Sequence, residues 1–146
     1  MEKILISACL LGIPSRYDAR SVHVLTEEQI AVLNSKYQLV PFCPEIYGGL
    51  PTPRTPSEIS GDEVYMKDGT RVTDNYRKGA EEALRLCRLL GIKKALLKER
   101  SPSCGEGFVY DGSFTGRLTS GDGVTVRLLK QNGIEIYGES KIEELL

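Results

Sequence analysis

Three of the four cysteines in this chain directly follow short apolar runs or lie a few residues beyond one. They are Cys9 after residues 4–6, Cys43 after residues 39–42, and Cys104 after residues 95–97 and the polar stretch 100–103. Short continuous apolar runs are typical of strands that are covered on both faces of a sheet. If these strands are parallel neighbours, the three thiols lie at one edge of one sheet. Open α/β sheets bind their ligands at that edge.

Three thiols at one site are compatible with several kinds of chemistry. They could bind zinc and leave a fourth position open, ligate three irons of a [4Fe-4S] cluster, or act as a nucleophile with resolving partners. The spacings of 34 and 61 residues match no local zinc or ferredoxin motif, so the hypothesis depends on the fold. By composition alone, Cys9 and Cys43 could equally be buried core residues at strand ends.

The fourth cysteine, Cys87, belongs to a different pattern. It lies on an apolar stripe at helical spacing, together with Ala80, Ala83, Leu84 and Leu90. Free cysteine is often fully buried as a small apolar side chain. We therefore predict that Cys87 is a core residue and not part of the site.

Polar residues near the three thiols could take part in the chemistry. The candidates are a carboxylate, two hydroxyls and several cations: Glu45, Ser101, Ser103, Arg16, Arg54, Lys98 and Arg100. Cations would stabilise an anionic thiolate-ligated metal group. The only histidine, His23, stands in a predicted loop and is interpreted as solvated. Nucleophilic Cys-His catalysis thus lacks its usual base, and a purely histidine-based metal site is excluded.

Length and composition predict one soluble domain over residues 1–146, because 40% hydrophobic and 27% charged residues are ordinary for a globular protein. The net charge of -1 provides no global field for nucleic acid or anionic lipid. No apolar run has the length of a membrane helix, and the eight residues before Cys9 are too few for a signal sequence. We expect a cytoplasmic protein, whose cysteines serve metal or thiol chemistry and not disulfides.

The pattern along the chain predicts a small, doubly wound, Rossmann- or flavodoxin-like α/β fold with helices on both faces of a mainly parallel sheet. The first strand should lie between the second and third. Predicted strands are residues 4–6, 39–42, 94–98 and 134–137. Three helices are predicted. The first has a capping box at 26–29, with Ile30, Leu33 and Tyr37 at helical spacing, and the second is capped by Thr73 or Asp74 and runs to Leu90. The third carries the apolar residues of 124–129 and ends at Asn132-Gly133.

Three connecting segments complete this prediction. Residues 44–56 contain four prolines and two glycines, which favour a rigid extended loop without a helix. Residues 64–66 and 71–73 are predicted to pair as a small hairpin around the turn Asp68-Gly69. Residues 108–116 are compatible with a short hairpin or a loop, and residues 141–146 with a final amphipathic turn.

Several blocks of the sequence resemble the thiouracil desulfidase family. They are Ser7-Ala8-Cys9-Leu10-Leu11-Gly12 with Arg16-Tyr17-Asp18, Cys43-Pro44-Glu45 with residues 48–54, Ser101-Pro102-Ser103-Cys104-Gly105, and Tyr110-Asp111-Gly112. The resemblance covers nearly the whole chain. One position departs from it, because Ala19 stands where the family often has glycine.

The resemblance implies a [4Fe-4S] cluster held by Cys9, Cys43 and Cys104, with an open iron that takes sulfur from a thiolated pyrimidine such as 2-thiouracil. It also implies that Glu45 and Ser101 serve proton transfer and substrate positioning, with Glu45 protonating the ring or activating water. We assign Arg16, Ser103, Arg54 and Lys98 to the environment of the substrate and cluster. A non-catalytic zinc or cluster module and a small thiol oxidoreductase remain the alternative hypotheses.

Overall fold

A four-stranded parallel sheet forms the centre of the protein. The computed structural model describes residues 1–20 and 24–146, so His23 lies outside the described residues. The strands are β1 (Glu2–Ser7), β2 (Tyr37–Phe42), β5 (Lys94–Leu97) and β8 (Glu135–Gly138), in the order β2-β1-β5-β8. The first strand thus lies between the second and third strands of the sheet, as predicted. Pro41 lies on β2 at the edge, where proline is tolerated.

Residues of the two central strands alternate between two core clusters. Leu5, Ala95 and Leu97 pack in one cluster with residues of α3 (Thr73–Leu90) and α4 (Val124–Gln131). Their neighbours Ile4, Ile6 and Leu96 pack in the other cluster with residues of α1 (Glu27–Lys36) and of the 3-10 helix Glu139–Glu144. Because side chains alternate across a strand, burial on both faces requires the continuous apolar runs seen in the sequence.

The first helix and second strand meet without a loop. The capping box at the start of α1 is present, since Thr26 Oγ1 accepts the N–H of Gln29 and Gln29 Oε1 accepts the N–H of Thr26, each at 3.0 Å. The helix ends at Lys36. The expectation that Tyr37 continues its apolar stripe is wrong, because Tyr37 begins β2 and is buried there.

The predicted pairing of residues 64–66 with 71–73 is wrong except for one bridge, because residues 63–66 pair with another strand. β3 (Ser57–Ser60) pairs antiparallel with β4 (Glu63–Met66), and residues 71–73 contribute only the isolated bridge of Arg71 to Tyr65. The Asp68-Gly69 turn does form, with the Gly69 N–H donating to Met66 O. The strand after this turn is cut short because Thr73 already begins α3. A second small hairpin pairs β6 (Phe108–Tyr110) with β7 (Leu118–Ser120).

A short helix, α2 (Pro44–Tyr47), follows Cys43 directly. The prediction that residues 44–56 exclude a helix is therefore wrong for this first turn. Pro44 occupies the start of the helix, where the missing N–H of proline costs nothing and its fixed φ fits. Within the described part of the chain, no helix is long and apolar enough to cross a membrane.

Candidate active site

The three cysteines that follow strands line one cavity of about 490 Å³. Cys9 lies in the 3-10 turn Ala8–Leu11 after β1, Cys43 is the N-cap of α2 after β2, and Cys104 lies in the loop after β5. Because β1 has β2 and β5 as its direct neighbours, the three chain segments leave the sheet side by side. Cys87 is buried among core residues of α3 and the sheet, as predicted.

The loop that carries Cys104 is fixed by its own backbone and by α4. The Gly105 N–H donates to Ser101 O at 2.8 Å, and the N–H groups of Ser103 and Cys104 both donate to Ser101 Oγ at 3.1 Å. The first N–H of α4, from Val124, donates to Pro102 O at 2.8 Å. The helix N-terminus thus holds the loop through N–H groups that have no acceptor within the helix.

Burial favours the protonated form of the three thiols. It raises the pKa of Cys9 to about 11 and the pKa of Cys104 to about 12. The pKa of Cys43 is also raised, and burial is the main cause. Cys43 further raises the pKa of Cys9, so the two thiols are close enough to interact electrostatically. Reactive nucleophilic cysteines have lowered pKa values, and these three do not.

The three thiols surround the cavity from different segments. Across residues 1–20 and 24–146, no three His, Cys, Asp or Glu side chains are grouped closely enough to be identified as a site for one metal ion. Cys43 Sγ lies 3.8 Å from Ser15 O, the carbonyl that also accepts from Arg54.

Glu45 is the centre of the polar network beside the thiols. Its Oε1 accepts from Tyr76 Oη at 2.8 Å and from Arg54 Nε at 3.2 Å, and Arg54 Nη2 lies 3.2 Å from the same oxygen. Its Oε2 accepts from Ser103 Oγ at 3.0 Å. The carboxylate side chain is 15% exposed, and protein donors contact both of its oxygens.

A directed hydrogen-bond chain joins Ser101 to Glu45. Ser101 Oγ already accepts two backbone N–H groups, which occupy both of its lone pairs. Its own proton is therefore available to Ser103 Oγ, 2.9 Å away. Ser103 is buried, and its hydroxyl in turn donates to Glu45 Oε2. Ser101 is less buried than Ser103, so the chain leads from the cavity wall to the carboxylate.

All four candidate cations line the cavity, Arg100 among them, and the other three have different partners. Arg54 is 3% exposed, and besides Glu45 it donates to Ser15 O, Pro51 O and Thr52 Oγ1. It lines the cavity, but protein groups use its hydrogen bonds. Lys98 pairs with Glu139 at 2.8 Å, and Arg16 lies over the ring of Tyr17. The charges of Lys98 and Arg16 oppose the effects of burial and of Cys43 on the pKa of Cys9.

Two residues that sequence reasoning missed support the site. Tyr76 stands four residues before Ala80 on the buried stripe of α3, so the sequence pattern indicates only a core aromatic residue. Glu58 is a buried carboxylate on β3 that accepts the N–H groups of Gly112 at 2.9 Å and Phe114 at 3.1 Å. It fixes the loop between β6 and β7, whose Phe114 lines the cavity.

Ala19, the position that departs from the resemblance, has a left-handed backbone with φ 58°. Its N–H donates to Arg16 O at 2.9 Å, so it closes the turn behind Arg16. Glycine adopts this conformation without the steric cost that a Cβ brings. The turn therefore explains a preference for glycine there.

Comparisons with known proteins identify a family and two similar proteins. The model of the 2-thiouracil desulfurase family matches residues 4–141. The protein named "Uncharacterized protein YbbK" of Bacillus subtilis (strain 168) is 37% identical over 153 residues, covering 98% of this chain and 99% of its own. The solved structure of the [4Fe-4S]-dependent thiouracil desulfidase TudS is 46% identical, with a TM-score of 0.93, and covers 99% of this chain and 95% of its own.

Proposed function

The chain belongs to the 2-thiouracil desulfurase family, and we propose from this premise that it removes sulfur from a thiolated pyrimidine such as 2-thiouracil. It is a [4Fe-4S]-dependent desulfidase of thiolated nucleobases, like the TudS protein whose structure it matches. The observation that carries the proposal is the meeting of three strand-end thiols and the Glu45 network at one cavity.

The donor set fits an iron-sulfur cluster. Thiolates are the usual protein ligands of such clusters, and Cys9, Cys43 and Cys104 would hold three of the irons. The thiols come from three segments around a cavity of about 490 Å³. A cluster binds each thiolate through a different iron, so it suits ligands spread around a space. When bound, it supplies an open iron that acts as a Lewis acid toward the sulfur of the substrate.

The chain's own residues move the protons of a hydrolytic exchange. A thiolated pyrimidine and water give the oxo-pyrimidine and hydrogen sulfide, so the net reaction needs no oxidant or reductant. Glu45 Oε2 takes a proton from water or delivers one to the ring. Ser101 positions the substrate at the cavity wall, and Ser103 connects its hydroxyl to Glu45 Oε2.

The cations have separate tasks in this proposal. Arg16 and Lys98 place positive charge near Cys9, where it would stabilise an anionic thiolate-ligated group. Arg54 serves the environment of the site indirectly, because its guanidinium holds Glu45 and the loop at Ser15.

The setting of the site is also a proposal. We infer that residues 1–146 form one doubly wound, flavodoxin-like domain, which the two core clusters on opposite faces of β1 and β5 support. We further infer that it works in the cytoplasm on a small molecule and not on nucleic acid, since its net charge is -1.

Anaerobic reconstitution with iron and sulfide tests the function. The reconstituted protein should be brown with broad visible absorption and should convert 2-thiouracil to uracil. Cys104→Ser should lose iron and activity together, because a hydroxyl is a poor ligand for a soft metal site. Cys87→Ala, the matched control in the core, should keep both. A colourless wild-type protein that holds stoichiometric zinc after reconstitution would contradict the proposal.

A further inference from the structure

The two oxygens of the Glu45 carboxylate have different surroundings. Oε1 is held by the phenol of Tyr76 and by two guanidinium nitrogens of Arg54. Oε2 has the hydroxyl of Ser103 as its hydrogen-bond donor among the described residues. A carboxylate without such a difference could rotate and present either oxygen. Here the donors fix which oxygen lies beside the serines.

Tyr76 reaches Glu45 because α2 lies directly on α3. A Cβ on Gly79 of α3 would lie 1.9 Å from Pro44 O, and a Cβ on Gly48 would lie 2.0 Å from Asn75 O. Asn75 Nδ2 also donates to Gly48 O at 2.9 Å. The two glycines thus let the backbones approach closely. This contact brings Glu45 on α2 within hydrogen-bond distance of the phenol of Tyr76.

The phenol is well suited to act as a fixed donor. Tyr76 is 1% exposed and packs among the apolar residues Leu50, Ile59, Val64, Val72 and Val109. Burial raises its pKa far above the usual value, and the charge of Glu45 raises it further, while a hydrogen bond from Ser57 acts in the opposite direction. The phenol therefore stays protonated at any physiological pH and can donate a hydrogen bond to Oε1 of Glu45.

We propose that Tyr76 is a positioning residue for the reaction: its phenol holds Oε1 of Glu45 and so presents Oε2 to Ser103 and the substrate. This inference rests on the proposed role of Glu45 in proton transfer. It differs from a merely structural role, in which the phenol only satisfies its own hydrogen bond within the core. A structural role predicts that removing the phenol changes stability by the same amount whether residue 45 is glutamate or glutamine.

A double-mutant cycle on the reconstituted enzyme separates the two roles. Tyr76→Phe keeps the ring and removes the donor, and Glu45→Gln removes the proton-transfer group. Glu45→Gln should lower kcat about 100-fold, the usual scale for a lost general acid or base. Tyr76→Phe should lower kcat about tenfold, the scale of one hydrogen bond to a charged group, with KM and iron content nearly unchanged. In the Glu45→Gln background, Tyr76→Phe should leave kcat unchanged, because the group that it positions is gone.

Tyr137→Phe is the matched control. Its phenol also donates to a carboxylate, Glu135 Oε2 at 3.2 Å, but this hydrogen bond is exposed to solvent. It should not alter kcat per iron-loaded molecule. Equal effects of Tyr76→Phe in both backgrounds, or no effect while Glu45→Gln is slow, would overturn the inference about Tyr76 alone. An undiminished kcat for Glu45→Gln would instead remove Glu45 from the mechanism, and the inference with it.

Discussion

Replacing Gly79 by alanine should destabilise the protein, although alanine is the better helix former. In an exposed helix this change would raise the free energy of unfolding by about 1 kcal/mol. Here the new Cβ would lie 1.9 Å from Pro44 O, well inside the 3.0 Å that real Cβ contacts keep. The obstacle is backbone of α2, so no side chain can rotate away. Overpacking costs about 1 to 3 kcal/mol, and a clash with backbone belongs at the upper end, about 3 kcal/mol. After the gain of about 1 kcal/mol in helix propensity is subtracted, we expect a net loss of about 2 kcal/mol.

The same displacement should reach the active site, because Pro44 lies between Cys43 and Glu45. A shift of about 1 Å in a catalytic group can lower kcat by up to roughly 100-fold. Urea unfolding measures the stability, and iron content with kcat measures the site. Lys78→Ala, an exposed change one residue away, is the control and should stay within about 0.5 kcal/mol of wild type. A Gly79→Ala protein as stable and as active as wild type would refute the close contact of α2 with α3.

Two further changes test the loops around the cavity. Glu58→Ala removes the acceptor of two loop N–H groups. We therefore expect KM for the thiolated substrate to rise roughly tenfold while the iron content stays unchanged. A fall in iron content would instead show that the loop supports the cysteines. Ala19→Gly relieves the steric cost of a left-handed backbone conformation. After the greater chain entropy of unfolded glycine is subtracted, the free energy of unfolding, measured in urea, should rise by about 0.5 to 1 kcal/mol. A loss of stability would contradict the left-handed conformation of Ala19.

The main sheet could be predicted because its strands leave a strong pattern. The apolar runs before Cys9 and Cys43 are continuous, since β1 is covered on both faces and β2 pairs with it. The order of the strands then follows from the rules for parallel sheets, and it brings the three thiols to one edge. Here continuous apolar runs and a general topological rule were sufficient.

The parts that failed have different causes. The Asp68-Gly69 turn is real, but β4 pairs with β3, which precedes it across the two-residue turn Gly61-Asp62, a hairpin signal that the sequence prediction did not use. Four prolines argued against a helix at α2, yet only Pro44 falls within it, at the position where proline is tolerated. The role of Tyr76 depends on a close approach of two helices. A single glycine in the sequence of α3 does not reveal it.

The order of the strands in the sheet has a consequence for how the protein is made. Cys9 and Cys43 are synthesised early, and β1 and β2 can pair once Phe42 is present. The third thiol, Cys104, follows β5, which is the other neighbour of β1 and comes after more than half of the chain. The loop of Cys104 is then fastened by α4, which is synthesised later still. We therefore expect a nascent chain to complete this site only after α4 has been synthesised, so that loading with iron follows folding of the sheet.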